Sequence, residues 1–102
     1  MPRGEGAGSS PNYRIFETQQ FFSEIARAAQ AKQAQLENKL RTYVYPILLD
    51  EPHIGPNIKR LKNWDPRTWR YRVGAWRFFY EIDEERRVIL MIACKHRKEA
   101  YR

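Results

Sequence analysis

The chain has 102 residues, 30% charged and 42% hydrophobic, which suits one compact domain with a modest core and excludes wholesale disorder. No run of about 18 apolar residues is present and MPRGEGAGSSPN lacks a signal peptide's apolar stretch, so neither a membrane span nor secretion is expected. The net charge is +7: residues 58–102 carry thirteen basic side chains against six acids, while residues 1–57 carry six of each. That asymmetry fits either a polyanionic partner (RNA, DNA or an acidic protein) or a plain solvated basic surface.

Residues 1–11 are rich in Gly, Ser and Pro and are expected to form a disordered tail, with residues 12–102 as a single domain. NYRIFET reads as a strand in which Tyr13, Ile15 and Glu17 alternate with Arg14 and Phe16. Thr18 is a plausible N-cap for a helix over 19–30, with Phe21, Phe22, Ile25, Ala26 and Ala29 at amphipathic spacing. A second helix is expected over about 32–45 on Leu36, Leu40, Tyr43 and Val44. Pro46 should break it, leaving 46–50 as a short extra turn. DEPHIGPN is a loop that carries His53, read as structural. NIKRLKNWDPRTW holds a short strand or extended segment, then a turn at Asp65-Pro66.

Residues 69–73 and 76–82 read as strands, DEER as a turn, and RVILMIAC as a central strand, apolar on both faces and ending in Cys94, read as a core residue. The tail KHRKEAYR is polar and basic. The fold class is α+β, in the order β-α-α-β-β-β, with the two N-terminal helices packed on one face of a small, mostly antiparallel sheet. Cys94 is the only cysteine, so no internal disulfide can form and a reducing, cytoplasmic setting is expected.

Gly74-Ala75 fits a two-residue hairpin loop with glycine first, as a type II′ turn requires. That register sets Arg72 opposite Arg77, Arg70 opposite Phe79 and Tyr71 opposite Phe78. One face then carries Trp69, Tyr71, Val73, Trp76, Phe78 and Tyr80 and must meet the helices. The other carries Arg70, Arg72, Arg77, Phe79 and Glu81. Like charges directly opposite repel, so sheet stability alone does not select the pair. A bound phosphate explains it, because guanidinium forks match phosphate oxygens, and Phe79 can stack a base. The rival reading is that the arginines splay into water.

The ordered set IKRLK, RYRVGAWRFFYEID and an apolar strand followed by HRKEAY resembles the RelE branch of the RelE/ParE toxin superfamily, over residues 13–102. The resemblance implies a RelE-like domain and the cytoplasmic toxin of a type II toxin–antitoxin pair, with a cognate antitoxin as partner. It also implies translation inhibition through cleavage of mRNA, usually on the ribosome. Arg70 and Arg72 occupy two basic places that often hold lysine in that branch. Arg77 matches the arginine of its second hairpin strand. Lys95, His96 and Arg97 fall in its basic C-terminal segment, and Tyr101 is that segment's tyrosine.

RNA cleavage by 2′-OH attack needs a base, an acid and cations that meet the charge building on the phosphate. Arg70, Arg72 and Arg77 suit the last role. His96 has an ordinary pKa suited to acid and base work near neutrality, or is only a phosphate contact. Tyr101 either positions the 2′-OH, stacks a base, donates a proton or packs as a lid. Lys95 suits a phosphate contact, and Lys59, Arg60 and Lys62 either grip RNA backbone or are merely solvated. Trp64 is either an exposed stacking residue or a core cap. With two histidines, one cysteine and no carboxylate cluster, no metal or other cofactor is expected. The alternatives are a ParE-like toxin that inhibits DNA gyrase and a non-catalytic RNA-binding module.

Overall fold

The computed structural model describes residues 12–30 and 34–100. The expected tail over 1–11 and Tyr101 lie outside them. Five strands form one sheet: β1 (Arg14–Glu17), β2 (Ile58–Arg60), β3 (Trp69–Val73), β4 (Trp76–Asp83) and β5 (Val88–His96). Their spatial order is β1-β5-β4-β3-β2, with β1 parallel to β5 and every other pair antiparallel. The expected β-α-α-β-β-β core is present with one strand more: Ile58–Arg60, read as a short strand or an extended segment, pairs with β3 as the outer strand of the sheet.

Thr18 starts α1 (Gln19–Gln30) by accepting the Phe21 N–H on Oγ1 at 3.1 Å. It also binds the sheet, donating its own N–H to the Met91 carbonyl at 3.0 Å. The buried stripe of α1 is Phe21, Glu24, Ile25 and Ala28. It is rotated from the expected one: Phe22 and Ala26 face water, and an acid occupies a core position.

The second helical run departs from expectation at Pro46. It does not break there. It runs as α2 (Ala34–Lys39), a wider π-helical turn (Leu40–Val44) and α3 (Tyr45–Asp50). The Tyr45 N–H closes on the Leu40 carbonyl, five residues back. Pro46 then falls in the first turn of α3, where a missing N–H costs little. The buried residues are Leu36, Leu40, Val44 and Leu48, each four apart. In a regular helix that spacing drifts by roughly 40° per step, and the wider turn takes up the drift. Tyr43, expected in the stripe, faces solvent.

The β3–β4 hairpin has the expected register, Val73 opposite Trp76 through Trp69 opposite Tyr80, and Gly74 takes φ +58 at its turn. Between β4 and β5 the register slips: Phe79 pairs with Ala93 but Tyr80 pairs with Met91, so Ile92 is an extra, bulged residue. Ile89 and Met91 before the bulge, and Cys94 after it, therefore all face the core. Beyond β5 the expected polar tail forms a short helix, α4 (Arg97–Ala100). No helix among the described residues is long and apolar enough to cross a membrane.

The loop after α3 is fastened to the sheet by side chains. The buried Tyr80 hydroxyl donates to the Pro52 carbonyl at 2.7 Å. The His53 ring meets Glu51 through Nδ1 at 2.8 Å and Glu84, in the β4–β5 turn, through Nε2 at 2.5 Å. Burial alone would lower the His53 pKa, but the bonds to Glu84 and Glu51 outweigh it and raise it. Only the imidazolium donates from both nitrogens. A raised folded-state pKa adds stability that is fully present below the ordinary value near 6.5 and is lost as pH rises through the folded value. Thermal melts should therefore fall in midpoint as pH passes from mildly acid to mildly alkaline, and His53→Ala should flatten that slope. An unchanged slope would place the pH dependence elsewhere.

Candidate nucleic-acid interface

The sheet's other face, turned away from α1 and the α2–α3 run, carries two cross-strand rows of side chains. In the first, Arg72 on β3, Arg77 on β4 and Lys95 on β5 are direct neighbours. In the second, Lys59 on β2, Arg70 on β3, Phe79 on β4 and Ala93 on β5 follow one another. Strand spacing near 4.8 Å packs the first row's three cations into roughly 10 Å. A groove of about 630 Å³ lies over the rows, lined by Lys59, Arg70, Arg77 and Lys95 and floored in part by Leu61, Ile92 and Ala93.

Arg70, Arg77 and Lys95 are held rather than splayed. Arg70 donates through Nη1 to the Asn57 carbonyl at 3.1 Å. Arg77 donates through Nη1 to the Gly74 and Trp76 carbonyls, both at 3.4 Å, and is only 6% exposed. Arg72, at the end of its row, is exposed. Lys95 pairs with the Glu24 carboxylate, which also accepts the Cys94 N–H at 2.7 Å. Beyond Glu17, β1 no longer pairs with β5, so Cys94 would otherwise present an unmet donor inside the protein. One acid from α1 thus meets both a backbone group and a charge.

The expected site residues divide. Lys59, Arg70, Arg77, Phe79 and Lys95 converge on the groove, with Arg72 beside them. Arg60 does not: it pairs with Trp69, whose side chain is in the core, and so projects to the other side of the sheet at its edge. Lys62 and Arg97 are exposed outside the groove. His96 is the main correction. It lies opposite Trp76 on the helix-facing side, ring centroids 5.2 Å apart. Its Nδ1 accepts the Lys98 N–H at 3.3 Å, while Glu99 Oε1 accepts the His96 N–H at 3.0 Å. This reciprocal capping box starts α4, so HRKE is accounted for as a helix signal and the imidazole is not brought to the arginines. Tyr101 lies outside the described residues.

Two groove features, Glu99 and Gln20, were not read from the sequence, and a third, Trp64, was left open. Trp64 stacks on Phe79, resolving the choice left open in favour of the exposed alternative. Glu99 adds a carboxylate and Gln20 an amide to the lining. Glu24 had a signal, an acid at i+3 within an apolar helical stripe. Cys94 is core: burial pushes its thiol pKa up to about 12, which leaves it inert.

Residues 17–101 match the family model described as ParE toxin of type II toxin-antitoxin system, parDE. Among solved structures, the RelE of the archaeal RelE–RelB complex from Pyrococcus horikoshii OT3 is 20% identical, with TM-score 0.63 over 84% of this chain and 96% of that one. The YoeB/ParE toxin from Agrobacterium tumefaciens is 19% identical, with TM-score 0.66 over 81% and 96%. The isolated RelE toxin of E. coli is 22% identical, with TM-score 0.61 over 87% and 90%. No curated protein matches the chain by sequence.

Replacing Glu24 with Ala should leave the Cys94 N–H and Lys95 without their acceptor and lower the unfolding free energy by about 1–3 kcal/mol in urea titrations. Glu24→Gln, which keeps an acceptor, should lose less. Equal losses would show that the lysine pair, and not the backbone bond, dominates.

Proposed function

The chain belongs to the ParE toxin family of type II toxin–antitoxin systems, within the RelE/ParE superfamily, and from that we propose a toxin that cleaves mRNA, on the ribosome, by attack of the 2′-OH. The observation that carries this reading is the pair of cross-strand rows that set Arg72, Arg77 and Lys95 beside Lys59, Arg70 and Phe79 on the groove side of the sheet. Arg70 and Arg77 stand where a phosphate laid across β3 and β4 would place its oxygens. Guanidinium groups fixed by backbone carbonyls favour the charge that grows on phosphorus during attack and need no reorganisation to do so. Arginine stays charged near neutrality and cannot move a proton in the way lysine can. Proton transfer is therefore assigned to Tyr101 or to Glu99, the carboxylate in the groove lining, and not to His96.

A second reading has one observation in its favour. The matching family model is that of ParE, and a ParE-like toxin would bind DNA gyrase without cutting RNA. Transcript ends mapped in cells after induction separate the two. Cuts in phase with codons, ending in 2′,3′-cyclic or 3′-phosphate, support the nuclease; an SOS response without cuts supports gyrase. In the nuclease case, Arg77→Ala should slow single-turnover cleavage on the order of 10²–10³-fold. His96→Asn, which keeps a capping acceptor, should cleave near the wild-type rate. A large loss in His96→Asn with the melting temperature unchanged would return that histidine to the chemistry.

Solved relatives include complexes of RelE with RelB. We propose that an antitoxin likewise silences this chain, through an acidic segment laid over the basic face. Charge-driven encounters weaken under salt, so stopped-flow association with a cognate antitoxin should slow markedly between low and physiological ionic strength. A flat rate would count against an electrostatic contact.

A further inference from the structure

Trp64 is 52% exposed, yet its ring is not loose: it lies parallel to Phe79, centroids 6.0 Å apart and planes 11° apart. The loop that carries it is closed below by the Leu61 N–H on the Thr68 carbonyl at 2.8 Å and by the Thr68 hydroxyl on the Pro66 carbonyl at 2.9 Å. Thr68 is 1% exposed. Asn63 precedes the indole in the left-handed region at φ 64, which asparagine tolerates better than most residues. The protein therefore fixes a large flat apolar ring half in water, where it adds little to the core. Beside it the groove floor is apolar, through Leu61, Ile92 and Ala93, and its rim is cationic, through Lys59 and Arg70.

A flat apolar shelf next to fixed cations matches a ligand that is planar at one end and anionic at the other. An unpaired nucleotide is such a ligand, whereas a duplex hides its base faces. An acidic peptide would use the cations but has no need of a shelf held flat. Resting on the RNA reading of this groove, we infer that Trp64, backed by Phe79, is a stacking shelf for one nucleobase of single-stranded RNA, whose phosphate turns toward Lys59 and Arg70. A fixed indole loses little conformational freedom on contact and accepts any base, since every base has a π face. The shelf thus supplies affinity and strand position rather than sequence choice.

The probe is a short fluorescent 2′-O-methyl oligoadenylate, which resists cleavage through the 2′-OH, together with a matched strand made abasic throughout. Anisotropy should show the wild type binding the base-bearing strand about tenfold or more tightly than the abasic one. Trp64→Ala should bind both strands alike, with an unchanged melting temperature, and Trp64→Tyr should recover most of the preference. If the wild type binds RNA with the same base preference as Trp64→Ala, the shelf falls and the RNA reading stands. If the wild type binds neither strand, both fall. A Trp64→Ala variant that loses antitoxin affinity while keeping the base preference would assign the ring to a protein partner and overturn the inference.

Discussion

One extra residue in β5 determines what each sheet face offers. Without the bulge at Ile92, strict alternation from Ile89 and Met91 would turn Cys94 outward and drive Lys95 into the core. With it, Cys94 closes the core beside Phe78, and Lys95 joins Arg77 and Arg72 on the open face. The same slip turns His96 back toward the helices. The place of Lys95 on the cationic face and the displacement of the histidine from it share this single cause.

Concentrating like charges on a sheet is unfavourable unless each is fixed by something else. Here the fixing groups are inexpensive ones. Two backbone carbonyls at the hairpin turn hold Arg77 and another holds Arg70. Lys95 draws on a carboxylate, and that acid already serves the backbone of β5. The site is thereby joined to the fold: the helix that covers one face supplies a counter-charge for the other. The structure supports a preformed electrostatic surface more directly than it supports any one proton-transfer residue.

Much of this was legible in the residues. Alternation and Gly74 together specified the hairpin register, because a one-residue slip would have turned Trp69, Tyr71, Trp76, Phe78 and Tyr80 outward. The helix cap at Thr18 was legible for a similar local reason. The bulge was not, since VILMIAC is apolar at every position and gives no alternation to break. His96 was assigned to the chemistry from its ordinary pKa and its place in KHRKEAY, not from strand alternation, and HRKE was not recognised as a capping box. Glu24 escaped and the choice for Trp64 stayed open because their roles depend on partners 70 and 15 residues away, Cys94 and Phe79.

The π-helical turn between α2 and α3 couples the length of this segment to its proline. Buried positions at 36, 40, 44 and 48 become the ordinary helical spacing of four, three and four if one residue between Leu40 and Val44 is removed. The turn therefore holds one supernumerary residue, and Thr42 or Tyr43, both exposed, is the one the core would not miss. Its loss would return Pro46 to the interior of a regular helix, where the ring collides with the carbonyl four residues back. The wider turn and the proline are thus mutually dependent: shortening the segment by one residue would put Pro46 where it kinks or breaks the helix unless it were replaced as well.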